Sequence, residues 1–342
     1  MKLTWCTGRL QLREPFRISR SVMHERDAVW IDVSHEEHIG HGEAVTSVYY
    51  DLDLSRIVTQ LEALRPVIEE SEDPDELLAD AQRWVTLDPG LRCAVDAALH
   101  DLAAKCRGTI VRDLIGAPSF ETARTACTIG IVDTAQAVRT ATELTGRGFG
   151  VLKVKLGDGT EDATRVAAIR AAAPDARLLL DPNGAWEPDQ ALRILEALEP
   201  HGISAVEQPI RPGSPADLGW VAQRSPIPVI ADEDAQTVDD VRELGSSVHG
   251  VNVKLAKCGG IRAAVEIIET ARSAGTEVML GCLVASSLGI APAVHLAGHA
   301  SWIDLDGHLL LAHDPWDGIG GIDGTLRLSG RPGLGVLPRS SP

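Results

Sequence analysis

The sequence predicts an α/β protein, a (β/α)8 barrel behind an α+β N-terminal capping domain, on three observations. Beyond about residue 120, short apolar strands alternate with amphipathic helices. They give eight β–α steps at roughly 25-residue spacing, the repeat of a closed parallel barrel. Nearly every one of those strands ends in a charged or amide residue, for which the rival fold, an open doubly wound sheet, offers no reason. Before residue 120 strands come first and helices follow in a run, the order of a separate α+β unit.

The first unit, residues 1–120, contains the strand-like stretch Ala28–Val33, and His41-Gly42-Glu43-Ala44 follows a turn. The segment from Phe16 to Asp27 reads as a loop folded over the barrel mouth. Helical spacing runs over Leu54–Glu70, Asp75–Thr86 and Gly90–Arg107, the last opening after Asp88-Pro89. The barrel, residues 121–316, takes its strands from Thr125–Gly130, Val151–Leu156, Leu178–Asp181, Ala205–Gln208, Val229–Asp232, Val251–Leu255, Glu277–Gly281 and Trp302–Asp306. Helices are expected over Thr134–Arg147, Asp162–Ala173, Asp189–Leu198, Ala235–Leu244 and Ile261–Ala274. The tail, residues 317–342, is rich in glycine and proline and is expected to return to the first unit.

With 44% hydrophobic and 24% charged residues among 342, the chain can bury a sizeable core. Its 49 acidic and 32 basic residues leave a formal charge of −17, which argues against nucleic acid or an anionic membrane as partner. Six scattered cysteines form no C-x-x-C pair, so they suit neither a zinc site nor a disulfide framework and read as reduced thiols of a cytoplasmic protein. Met1-Lys2-Leu3-Thr4-Trp5 lacks the apolar stretch of a signal peptide. The weakly polar run Val278–Val294, broken by glycines, serines and Pro292, reads as a buried strand entering a helix rather than a membrane span.

The informative residues fall at the C-terminal ends of successive strands, where barrel enzymes keep their active sites. Strand two carries Lys153-Val154-Lys155; residues two apart share a face, so both ammonium groups can enter the barrel mouth. Strands three, four and five end Asp181-Pro182-Asn183, Glu207-Gln208-Pro209 and Ala231-Asp232-Glu233-Asp234, and strand six carries Asn252-Val253-Lys254. Taken singly, an Asp at a strand end is more often a helix cap, and a K-x-K is usually a solvated edge. These lysines, however, lie in apolar strands. Buried ammonium groups need partners, and three neighbouring carboxylates supply them.

Three carboxylates from three strands make an all-oxygen site suited to Mg2+, with Mn2+ as a substitute. A metal there can hold a substrate carboxylate and stabilise the enediolate left when the α-proton departs. Lys155 and Lys254 come from strands four steps apart in a ring of eight, so they face each other across the barrel. A nearby cation and a second lysine should lower a lysine's pKa and make it a usable base. Two opposed bases take a proton from one face and return one to the other, which is epimerisation.

The K-x-K, D-P-N, E-Q-P, A-D-E and N-V-K-L-A-K-C-G-G segments resemble the enolase superfamily, specifically its muconate-lactonising subgroup, a superfamily known for lysine bases beside Mg2+. The resemblance covers essentially the whole chain. It implies Asp181, Glu207 and Asp232 as metal ligands and Lys155 and Lys254 as the acid/base pair, serving the (S) and (R) centres respectively. It further implies that Lys153 neutralises the substrate carboxylate, with Glu233 and Asn252 in support. Thr128, on strand one, is expected to line the same pocket.

Strand eight reads Ser301-Trp302-Ile303-Asp304-Leu305-Asp306-Gly307, two carboxylates on one face at the mouth. Its plain reading is a helix cap and a turn residue. A D-x-D before G-x-L-L-L also resembles the dipeptide epimerases, which implies that Asp304 and Asp306 hold the α-ammonium of an L,D- or L,L-dipeptide. Arg20 would pair with an acidic side chain and favour Ala-Glu. After strand seven, where many relatives carry a glutamate, this chain has Gly281-Cys282-Leu283-Val284-Ala285-Ser286-Ser287, which leaves the side-chain preference open. An N-acylamino-acid racemase, an o-succinylbenzoate synthase or a cycloisomerase would share the metal and the lysines but has no use for the D-x-D. A non-catalytic binding protein would need no base pair. The expected partner is a small dipeptide, with no nucleic acid and no membrane; a homo-oligomer is compatible with the sequence.

Overall fold

The computed structural model describes residues 1–18, 21–80, 86–157 and 161–339. Three antiparallel strands come first, β1 (Lys2–Ile18), β2 (Ser21–His35) and β3 (His38–Val45). Val29, Ile31 and Val33 alternate along β2 and turn one face of this sheet toward α1 (Leu54–Glu69), α2 (Pro74–Ala79) and α3 (Pro89–Cys106). Ile57, Leu61, Leu91, Val95 and Leu99 complete that core, and a short α4 (Val111–Leu114) follows. Asp53 starts α1 by accepting from the Arg56 amide at 2.8 Å.

One of these elements departs from expectation. The described residues of the segment from Phe16 to Asp27 are strand rather than loop: Phe16 pairs with Met23 and Ile18 with Ser21 as the ends of β1 and β2. Backbone pairing there does not depend on an apolar face, so the side chains carry no alternation to read. Arg20 lies outside the described residues. Of the helix expected over Asp75–Thr86, α2 covers Pro74–Ala79, and residues 81–85 lie outside the described residues.

A two-residue strand β4 (Ala123–Arg124) leads into the barrel. Its strands are β5 (Cys127–Ile129), β6 (Val151–Lys155), β7 (Arg177–Asp181), β8 (Ile203–Glu207), β9 (Val229–Ala231), β10 (Gly250–Lys254), β11 (Glu277–Gly281) and β12 (Trp302–Asp304). They pair in parallel and in sequence order. The Ala126 amide donates to the Ile303 carbonyl at 2.8 Å and joins the last strand to the first. Around the ring stand α5 (Thr134–Gly146), α6 (Asp162–Ala172), α7 (Pro188–Leu198), α8 (Pro215–Ala222), α9 (Val238–Leu244), α10 (Leu255–Cys258), α11 (Ile261–Ser273) and α12 (Ser287–Val294). Their apolar stripes, such as Ile261, Ala264, Ile268 and Ala271 of α11, meet the outward residues of the strands in one core.

The chain then forms β13 (Trp316–Asp317), β14 (Thr325–Leu326) and β15 (Leu337–Pro338); β14 pairs with β4 and β13 with β15. The tail also reaches back to α3, where buried Asp101 accepts from the Leu334 amide at 2.6 Å. Among the described residues no helix is long and apolar enough to cross a membrane. All six cysteines are free thiols.

Strand periodicity then sets up the site. Inside the ring Ala126, Val151, Leu179, Ala205, Ile230 and Met279 form an apolar floor, with Trp302 against it. Two residues further along each strand the inward position is Thr128, Lys153, Asp181, Glu207, Asp232, Gly281 or Asp304. The polar layer therefore rests directly on a dry one.

The capping sheet is seated as tightly as the barrel. A Cβ added to Gly42 would lie 2.0 Å from the Ala94 carbonyl oxygen, so β3 runs backbone-on-backbone over α3. Gly42→Ala must push sheet and helix apart. We expect it to lower unfolding stability by about 1–3 kcal/mol in urea titration; an unchanged midpoint would show that β3 and α3 separate freely.

Candidate active site

A cavity of about 1110 Å³ opens over the C-terminal ends of the strands, walled by the barrel on one side and by β1, β2 and residues 46–55 on the other. Lys153, at its base, is fully buried. Its ammonium lies 2.9 Å from Asp181 Oδ2 and 2.7 Å from Asp304 Oδ2, and it also pairs with Glu207. Lys155, one layer up, reaches Asp181 Oδ2 at 2.5 Å and donates to Asn183 Oδ1 at 3.1 Å. Asn183 adopts a left-handed φ of 50°, and its amide donates back to Asp181 Oδ1. The D-P-N sequence thus clamps the carboxylate it carries.

The opposite wall is built alike. Lys254 stands 2.6 Å from Asp232 Oδ2 and 3.4 Å from Glu207 Oε1, and Asn252 Nδ2 donates to the same Glu207 oxygen at 2.7 Å. Lys257, which sequence reasoning left without a role, is buried beneath Asp232 and holds its Oδ1 at 2.8 Å and its carbonyl at 2.6 Å. Gln208 fixes the Asp232 amide at 2.9 Å and donates to Asp234 at 2.8 Å. Gly281 leaves room for all this: a Cβ there would lie 2.5 Å from Asn252 Oδ1 and 2.9 Å from Lys254 Cε.

The electrostatics follow from burial against pairing. Burial would raise the Asp181 carboxyl, but Lys153 and Lys155 outweigh it and hold it below the usual carboxylate range. Asp232 is likewise held low, against burial, by Lys254 and Lys257. Glu207 is pushed up to about 7 by burial and by Asp181. Burial lowers the Lys254 pKa, but with no metal between them Asp232 and Glu207 more than offset it, so the group sits well above an ordinary lysine. A divalent cation held by those two carboxylates would take away that stabilisation of the ammonium form.

Among the described residues no three histidine, cysteine or acidic side chains converge as a ready-made metal group. Lysine ammonium groups lie between them instead. The donor chemistry nonetheless fits a hard divalent cation: all-oxygen, one carboxylate from each of three adjacent strands, buried, with Glu207 left the least neutralised. Asp181, Glu207 and Asp232 are the residues that would hold it.

At the far end, Asp304 gives Oδ2 to Lys153 while its buried Oδ1 has no hydrogen-bond donor. Asp306 lies just past β12, and its Oδ2 accepts from the Thr128 amide at 2.7 Å. Burial and the charge of Asp304 push the Asp306 carboxyl up to about 6. Of these two buried acids Asp304 shares the Lys153 ammonium with Asp181 and Glu207, while its Oδ1 is left without a donor. Thr128 takes part through its side chain as well as its backbone amide, and it lines the cavity as expected.

Arg26, on β2, was missed altogether. It lines the cavity with its Nη1 buried and unpartnered, and burial lowers its pKa to about 10. Its titratable neighbours are Cys282 and Tyr50, both kept neutral by burial. It is a desolvated cation facing open space.

Fold and site together define an enolase-type barrel with its capping domain. The match to the mandelate racemase / muconate lactonizing enzyme N-terminal domain spans residues 2–116, and that to the enolase C-terminal domain-like family spans residues 136–341. The chain is 33% identical to an L-Ala-D/L-Glu epimerase of Bacteroides thetaiotaomicron over 98% of its own length and 88% of the relative's. Among solved structures it resembles the substrate-liganded L-Ala-D/L-Glu epimerase of Bacillus subtilis, with a TM-score of 0.93 at 26% identity over 100% of this chain and 99% of that one. It also resembles a Methylococcus capsulatus dipeptide epimerase complexed with Mg and L-Arg-D-Lys, with a TM-score of 0.91 at 30% identity over 98% and 100%. The chain belongs to the mandelate racemase / muconate lactonizing enzyme family of the enolase superfamily.

Proposed function

We propose that this chain is a Mg2+-dependent dipeptide epimerase, an isomerase that moves one proton at the carbon beside the substrate carboxylate. The pair Asp304 and Asp306 carries the reading. A buried acceptor without a donor, next to a carboxyl that burial and a like charge push up to about 6, calls for a cation, and the α-ammonium of a dipeptide supplies one. The names of the relatives point the same way. A racemase for N-acylated amino acids presents no such ammonium.

In this reading Asp181, Glu207 and Asp232 hold the metal and Lys153 faces the substrate carboxylate. Bound Mg2+ supplies electrostatic stabilisation for the negative charge that spreads over that carboxylate as the α-proton leaves. Lys155 on β6 and Lys254 on β10 work from opposite sides of the ring. One, as a neutral amine, takes the α-proton; the other, as an ammonium, returns a proton to the opposite face. Lys254 becomes a base once Asp232 and Glu207 no longer stabilise its ammonium form. The substrate preference we infer is a dipeptide with an acidic second residue, such as L-Ala-L-Glu or its D-Glu epimer. The buried, unpartnered Nη1 of Arg26 at the cavity wall supports it; Arg20 remains a sequence-based candidate for the same part. The free thiols are consistent with a cytoplasmic location.

Incubation with Mg2+ and a dipeptide library in D2O tests the activity. Deuterium should enter the α-carbon of the second residue in both epimers, and chelation should abolish it. Lys155→Ala and Lys254→Ala should each lower epimerisation by at least about 100-fold, yet each should retain α-proton exchange of one isomer. Near wild-type interconversion by both variants would remove this pair from the mechanism.

The acid pair is tested by a double cycle. Asp306→Asn should lower kcat/KM for the free dipeptide by about 10- to 100-fold, the worth of one charge-assisted hydrogen bond in a dry site. On the N-acetylated dipeptide, which has no cation to place, the same substitution should change little. Equal losses on both substrates would make the two aspartates structural and favour a racemase.

A further inference from the structure

Glu43, on β3, is a buried carboxylate that the chemistry above does not use. Its Oε2 accepts from Trp30 Nε1 at 2.6 Å and from the Ser286 hydroxyl, and its Oε1 accepts from the Ser286 amide at 2.7 Å. Trp30 belongs to the capping sheet, whereas Ser286 opens α12 in the barrel and caps it through a 3.2 Å bond from the Leu288 amide. One carboxylate thus ties the capping sheet to the segment that leaves β11. The approach is close because Gly289 has no side chain: a Cβ there would lie 2.8 Å from Glu43 Oε1.

The tied segment is part of the site. Cys282, Leu283 and Val284 line the cavity, and Gly307, next to Asp306, packs so closely on the Leu283 carbonyl that a Cβ would lie 2.3 Å from it. Residues 282–284 therefore wall the end of the cavity where Asp304 and Asp306 lie, and Ser286 anchors them two residues on. We propose that Glu43 is a positioning residue, which sets this wall from the capping domain and thereby governs how well the site receives the N-terminal residue of its substrate. The inference rests on the dipeptide reading for the identity of that residue, but not for the clamp itself.

The clamp is built to sense protonation. As an ion, Glu43 only accepts, and all three of its partners donate. A neutral carboxyl must donate from one oxygen, and of its partners only the Ser286 hydroxyl can accept, so protonation reverses that bond and removes the charge that strengthens the other two. Burial pushes the group up to about 7; the bonds from Ser286 and Trp30 hold it down, and Asp314 raises it. Asp314 is the charged side chain that faces it, anchored at the same helix start by the Ser287 hydroxyl at 2.6 Å. His41, two residues back on β3, is paired with Asp32. Because the raised group is ionised only above about 7, the clamp is complete at higher pH and loosens as pH falls.

The test compares the Mg2+-loaded wild-type enzyme with Glu43→Gln and Ser286→Ala between pH 5.5 and 8.5. Glu43→Gln keeps the shape and one acceptor, and should raise KM for the dipeptide about 10-fold at pH 8 with kcat within about 2-fold. Wild-type KM should rise as pH falls through about 7, and the Gln variant should lack that limb. Asp306 also titrates nearby, but it remains in the variant, so the difference between profiles isolates Glu43. Ser286→Ala, which loses the hydroxyl's bond to Glu43 and its cap on the Leu288 amide but keeps the Ser286 amide bond, should fall between the two. Hydrogen exchange of the 283–289 amides should speed up in Glu43→Gln, a readout that holds even if no dipeptide is turned over. Faster exchange without turnover would sink the dipeptide reading and leave the clamp. Wild-type KM, pH profile and exchange in Glu43→Gln would overturn the clamp itself.

Discussion

Four lysine ammonium groups, those of Lys153, Lys155, Lys254 and Lys257, are buried at one end of a barrel whose floor is apolar, and the molecule is arranged around that electrostatic demand. None can stay charged there without carboxylates in reach. Asp181, Glu207, Asp232 and Asp304 meet them from neighbouring strands. Such a lattice adds little net stability, because desolvation offsets most of the attraction. Removing one partner would strand the other, at about 3–5 kcal/mol. The fold is held instead by the apolar contact between strands and outer helices, and the lattice is what that stability carries.

The capping unit closes the site by contact of a different kind. Its sheet lies directly on α3 through Gly40 and Gly42, and the Glu43 carboxylate between them and the barrel reaches α12. Arg26 projects from the same sheet into the cavity. Barrel residues thus furnish the lysines and carboxylates at the base of the cavity, while cap residues wall the space above them.

Most of the barrel is legible in the sequence because parallel strands covered on both faces read as short apolar runs, and a charged residue inside one has few explanations. Lys153-Val154-Lys155 and Asn252-Val253-Lys254 stand out for that reason. The floor-plus-two spacing also places Asp181, Glu207 and Asp232 in one layer, as the structure does. What stays hidden has physical causes. Arg26 sits in a polar hairpin where another arginine carries no signal. Lys257 looks like a surface residue of a short helix until the chain folds it under Asp232.

The central claim is that two lysines on opposite sides of the ring flank one carbon. A crystal structure with Mg2+ and L-Ala-L-Glu tests it most directly. The account predicts one carboxylate oxygen each from Asp181, Glu207 and Asp232 on the metal at about 2.0–2.1 Å. Lys155 and Lys254 Nζ should lie on opposite faces of the α-carbon of the second residue, within about 3.5 Å of it. The substrate ammonium should sit between Asp304 and Asp306. Both lysines on one face of that carbon, or a metal held by other residues, would contradict it.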